Sequence, residues 1–221
     1  MIRKNTIQIQ KTARYFTLGD IRDSVKEVWI VCHGYGQLAE FFIRKFEILS
    51  GPETLIVAPE APHRFYLHGF SGRVGASWMT KTDREEDIRD YLGFLETLYK
   101  RLGEQIDWSA VKLNALGFSQ GVATVCRWLA ASDIPVSQII LWAGVFPPDL
   151  NNDFEFNARS FYDKNTTVVY GLQDPFLKKE HLEQIEEMKT VKPDLKIITF
   201  EGAHDIDPTV LKNIRDGKFS G

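Results

Sequence analysis

Residues 115–125 read ALGFSQGVATV, and within them Gly117-Phe118-Ser119-Gln120-Gly121 sets one serine midway between two glycines. Ahead of it runs the apolar stretch KLNALGF (112–118); behind it comes VATVCRWLA, with apolar residues at helical spacing. A strand that turns at once into a helix must bend sharply. Side chains two positions either side of the bend would strike the neighbouring strand and helix, so glycine is favoured at both. The pentapeptide predicts a strand–turn–helix unit with the Ser119 hydroxyl at the apex, over a helix N-terminus that favours developing negative charge.

Working outward, short β-branched runs recur at 27–32 (EVWIVC), 54–59 (TLIVAP), 138–144 (QIILWAG), 166–171 (TTVVYG) and 195–200 (LKIITF). Most are apolar throughout, as strands covered on both faces in a parallel sheet are. TIQIQ (6–10) and ARYFTL (13–18) alternate instead and are separated by two residues, which predicts an antiparallel edge hairpin and a sheet of about eight strands. Between the runs lie amphipathic helices. Thr82 with Glu85 has the capping-box spacing, and Ile88, Tyr91, Leu92, Leu95, Leu98 and Tyr99 fall on one face behind it. Residues 177–190 repeat the pattern with Leu182, Ile185 and Met188. Alternation of this kind implies a doubly wound, mostly parallel α/β sandwich with helices on both faces. No repeat, linker or low-complexity stretch interrupts it, so one domain is expected over 1–221.

Composition narrows the function. A net charge of −3 gives no basic excess for nucleic acid. No apolar stretch is long enough to span a membrane, and the first residues lack the apolar block of a secretory signal. Cys32 and Cys126 lie within apolar runs, outside any metal-binding spacing, and read as buried free thiols in a cytoplasmic setting. His63 and His68 lack metal-ligand spacing as well, and no P-loop sequence occurs. Neither a metal nor a cofactor is implied.

In such sheets the loops that follow the strands share one edge, where sites form. That edge collects His33-Gly34-Tyr35-Gly36, Glu60, Ser119, Phe146, Asp174 and His204. A serine hydroxyl is a poor nucleophile until a base takes its proton. In the α/β-hydrolases, which the GFSQG elbow resembles, the acid and then the histidine follow the serine in the chain, which leaves His181 and His204. His181 belongs to the charged stretch KKEHLEQIEEM and reads as a surface residue, whereas His204 follows a strand in EGAHDID. His204 is the expected base. Asp174, in VVYGLQDP, is the expected acid; Asp205 adjoins His204 in sequence, and Asp207 reads as a helix cap.

With HGYGQ at 33–37, PEAP at 59–62, GFSQG at 117–121 and the Asp174 and His204 loops, the chain resembles the carboxylesterase/phospholipase and acyl-protein thioesterase branch of the α/β-hydrolase superfamily. The resemblance covers most of residues 27–214. It implies a fold without a large cap domain and a triad of Ser119, Asp174 and His204. It also implies an oxyanion hole from the backbone N–H groups of Tyr35 and Gln120, and an acyl ester or thioester as substrate. The segment 59–87 departs from the pattern. Its aromatics, with Trp142 and Phe146, are candidate walls of an acyl groove, and Phe70 and Trp78 are the ones assigned to substrate contact. The stretch from Gly144 to Thr166 is too short for a full helical lid.

Two rival readings stand beside this one. Gly34-x-Gly36-x-x-Ala39 after a strand, with Glu60 further on, satisfies a dinucleotide-binding fingerprint and would make the chain an NAD-dependent oxidoreductase. A non-catalytic binding module on a hydrolase scaffold is the other.

Overall fold

The computed structural model describes residues 1–151 and 164–219. Its strands are β1 (Tyr15–Leu18), β2 (Glu27–Cys32), β3 (Thr54–Pro59), β4 (His63–Tyr66), β5 (Val74–Ser77), β6 (Lys112–Phe118), β7 (Gln138–Trp142), β8 (Thr166–Gly171) and β9 (Lys196–Phe200). Its α-helices are α1 (Ala39–Phe42), α2 (Arg84–Gly103), α3 (Gln120–Ala130), α4 (Lys179–Val191) and α5 (Pro208–Arg215). The main sheet has seven strands in the order β1-β3-β2-β6-β7-β8-β9, parallel except for β1 against β3. The described residues include no large cap over it.

The apolar runs fall where two-sided burial demands them. Along β2, Val28, Ile30 and Cys32 join a cluster with Tyr91, Leu95 and Leu98 of α2 and Val122, Val125 and Leu129 of α3. Trp29 and Val31, pointing the other way, join Phe42, Phe46, Leu211 and Ile214. Each central strand thus feeds a core on both faces, which is why strict alternation is missing from its sequence. Cys32 and Cys126 are buried free thiols, and burial pushes both up from the ordinary thiol range.

Two expectations are corrected. Residues 6–10 form no strand, and Ile7 and Ile9 are 87% and 80% exposed. The intervening Lys11-Thr12 lacks the glycine or asparagine that a two-residue hairpin turn needs. β1 pairs instead with the distant β3, giving a main sheet of seven strands among the described residues, where about eight were expected. The capping box does not form: Asp83 is the cap residue of α2, in a left-handed conformation (φ 55°) with no side-chain cap bond. The 59–87 segment, which the sequence reading left without strands, contains a separate antiparallel hairpin, β4–β5, whose connection holds Gly69 and Gly72 at positive φ. Part of the stretch between Gly144 and Thr166, expected to be too short for a lid, lies outside the described residues.

Candidate active site

β6 ends at Phe118 and α3 begins at Gln120, so Ser119 alone makes the bend. Its backbone sits at φ 54°, ψ −116°, a conformation that L side chains rarely adopt. The glycines serve the purpose expected of them. A Cβ on Gly117 would fall 2.3 Å from the Gly121 carbonyl oxygen, and one on Gly121 would fall 2.1 Å from the Cys32 carbonyl oxygen. The bend is pinned from β7, where the Trp142 carbonyl accepts the Ser119 N–H at 2.9 Å.

His204 and Asp174 come together from the loops after β9 and β8. His204 Nδ1 lies 2.7 Å from Asp174 Oδ2, with the Asp174 carboxylate almost wholly buried. A carboxylate can only accept, so Nδ1 carries a proton, and in the neutral ring Nε2 keeps its lone pair. Asp174 Oδ1 accepts the Phe176 N–H at 2.8 Å, fixing the carboxylate. The imidazole is held between the rings of Phe118 and Phe176, at 4.9 and 4.7 Å. Asp205 is occupied elsewhere: its Oδ1 accepts from Lys45 at 2.6 Å, and its carbonyl accepts the Trp142 indole N–H at 2.9 Å. Asp207 caps α5 through Val210 N–H.

The loop after β2 faces the bend. Gly34 N–H donates to Gln37 Oε1, Gly36 N–H to the Ala76 carbonyl and Gln37 N–H to the Gly34 carbonyl. Among the described residues the Tyr35 N–H between them has no acceptor. Gln120 opens α3, where N–H groups lack intrahelical acceptors. Its side chain clamps the bend to the end of β5: Nε2 donates to the Met79 carbonyl at 2.9 Å and Oε1 accepts the Trp78 N–H at 3.0 Å. Beneath the loop, fully buried His33 accepts the Ala61 N–H at Nε2 (3.0 Å) and donates from Nδ1 to the Gly34 carbonyl (2.7 Å). Burial lowers the His33 pKa to about 4, so the ring is a neutral strut between the ends of β2 and β3.

Ser119, Gln120, Tyr35, Asp174 and His204 all line one cavity of about 530 Å³. Phe70 and Trp78 do not. Trp78 is 0% exposed, packs in the core and donates its indole N–H to the His33 carbonyl at 2.9 Å. Phe70 is 97% exposed, beside the β4–β5 turn. The hairpin separates them, so the segment supplies a buried brace and an outlying ring rather than two walls. Phe146 does line the cavity, with Val145, Pro147, Phe176, Arg84 and Arg127, of which sequence reasoning singled out only Phe146. His181 lines it as well, contrary to its reading as a plain surface residue. The signal for Phe176 was its place two residues after Asp174.

The glycines at 34–36 meet protein rather than open space. A Cβ on Gly75 of β5 would fall 2.5 Å from the Gly36 carbonyl oxygen, and one on Gly34 would fall 3.0 Å from Ser119 Cβ. α1 has only four residues, and Glu60 is buried with Arg14 Nε at 2.8 Å. Among the described residues no group of three or more His, Cys, Asp or Glu side chains is placed to hold a metal ion, and no helix is long and apolar enough to cross a membrane.

No protein-family model matches the chain, and no curated protein matches it. Solved structures do. Esterase PE8 aligns with a TM-score of 0.69 at 20% identity, over 93% of this chain and 99% of its own. Acyl-protein thioesterase 2 of Zea mays gives 0.69 at 16%, over 94% and 98%, and the Bacillus cereus carboxylesterase 0.65 at 15%, over 94% and 95%. These neighbours are α/β-hydrolases, and the chain has the α/β-hydrolase fold. At such identities the likeness speaks for the fold, and the chemistry must be argued from the residues.

Proposed function

We propose that the protein is a serine hydrolase of carboxylic esters or thioesters. The observation that carries this reading is the 2.7 Å Asp174–His204 pair lining the same cavity as Ser119 on its strained bend. In this reading His204 Nε2 takes the Ser119 proton as Oγ attacks the substrate carbonyl carbon. The N–H groups of Tyr35 and Gln120 donate to the oxyanion. His204 then passes the proton to the departing alcohol or thiol, leaving an acyl-serine. Water, deprotonated by the same imidazole, attacks the acyl carbon, and the acid departs as the serine recovers its proton. Asp174 keeps the ring in the required tautomer and stabilises the imidazolium formed in each half. The esterase and thioesterase neighbours support this class of reaction. The dinucleotide reading loses its support because Gly34 and Gly36 pack against Ser119 and β5, and Glu60 is held by Arg14.

A fluorophosphonate probe followed by peptide mapping tests the proposal. Stoichiometric labelling at Ser119, abolished in Ser119→Ala and His204→Ala, is the expected result. Labelling at another serine, or none, would overturn it.

A further inference from the structure

The cavity has a charged end that the hydrolytic chemistry does not use. α3 presents Gln120, Ala123 and Arg127 to it. Arg127 lies seven positions beyond Gln120, about 10 Å from it along the helix axis. The Arg127 side chain is 0% exposed and fully engaged: Nε and Nη2 each meet Asp149 at 2.6 Å, and Nη1 meets Tyr91 Oη at 3.3 Å and Met79 Sδ at 3.4 Å. Arg84, the first residue of α2, lines the same end. Its side chain is about two-fifths exposed, and its only ion-pair partner among the described residues is Asp149 at 3.9 Å. That carboxylate is already committed to Arg127. Among the described residues two guanidiniums therefore share one carboxylate, leaving about one positive charge facing the cavity with donors unused. The rest of the lining is largely apolar, with Met79, Ala123, Val145, Phe146, Pro147 and Pro148 among it.

From this arrangement we infer that the substrate carries a carboxylate at the far end of an apolar spacer, and that Arg84 is the residue that recognises it. The inference rests on the hydrolase reading of the same cavity. A guanidinium fork suits a carboxylate, and a largely apolar lining suits methylenes.

The test compares p-nitrophenyl half-esters of the diacids from succinate to sebacate with p-nitrophenyl esters of methyl-ended acids of equal length. A second series, ω-carboxyalkyl acetates against alkyl acetates, places the carboxylate on the alcohol side. In one series the kcat/KM ratio of anionic to neutral ester should reach about tenfold to a hundredfold at the matching length. Arg84→Gln should bring that ratio to about one, Arg84→Lys should restore part of it, and Arg84→Glu should invert it. A ratio near one in both series, or one that Arg84→Gln leaves unchanged, overturns the inference while turnover of the neutral esters leaves the hydrolase reading standing. If no ester turns over, calorimetric binding of suberic acid monoamide against octanamide decides the inference separately. Tighter binding of the acid by wild type, lost in Arg84→Gln, sustains it, and equal binding refutes it. Circular dichroism of each variant shows that it is folded.

Discussion

Acid should loosen this protein through a residue outside the reacting groups. His33 is neutral in the fold because burial lowers its pKa to about 4, whereas in the unfolded chain an imidazole titrates near 6.5. Between those values the unfolded chain binds the proton and the folded one does not. Stability from the neutral strut is therefore complete above about pH 6.5 and lost as pH falls toward about 4. Integrating the linkage gives about 2 kcal/mol lost between pH 7 and pH 5, and about 3 kcal/mol over the full interval. Protonation would also set an N–H at Nε2 against the Ala61 N–H, where the present bond is 3.0 Å. The assay is urea unfolding at pH 7 and pH 5 for wild type and His33→Gln. Glutamine cannot titrate, so the substitution should cost a pH-independent amount and flatten the slope by about 2 kcal/mol relative to wild type. Parallel dependences in the two proteins would refute the reasoning, since every other titrating group is common to both.

Three further outcomes follow from the site and its supports. Asp174→Asn should lower kcat by about 10³–10⁴-fold, because the amide would stabilise the wrong imidazole tautomer, whereas Asp205→Asn should change it by less than about threefold; steady-state rates rank the two. Gln120→Ala keeps the backbone N–H but unclamps the bend from Met79 and Trp78, so kcat should fall about tenfold or more with KM little changed, read on a short neutral ester. Gly121→Ala forces a Cβ to 2.1 Å from the Cys32 carbonyl and should cost at least about 3 kcal/mol, while Gly93→Ala, in α2 with no atom within 4 Å, should add about 0.5–1 kcal/mol; denaturant midpoints measure both.

What the sequence disclosed follows the range of the forces involved. Strand-to-helix alternation is local, and a bend that excludes Cβ atoms at Gly117 and Gly121 leaves its mark within five residues. Asp174 and His204 could be found because each follows a strand, and parallel strands deliver their ends to one edge. The partner of β1 was not legible, since pairing Tyr15 with Pro59 is decided by tertiary contacts and no turn joins the two strands. Trp78 and Phe70 look alike in the sequence, yet the β4–β5 hairpin buries one and exposes the other. Arg127 is the more instructive omission. It stands in VATVCRWLA between Cys126 and Trp128, both fully or almost fully buried, on a helix whose neighbouring residues are apolar. A charge in that position is costly unless a partner meets it, so its presence alone announces a carboxylate brought against it. The carboxylate is Asp149, 22 residues on, and holding it there draws the segment after β7 against α3 and closes the charged end of the cavity. A lone arginine in an apolar helical run behind a serine bend thus marks the far wall of the site within the amino-acid sequence itself.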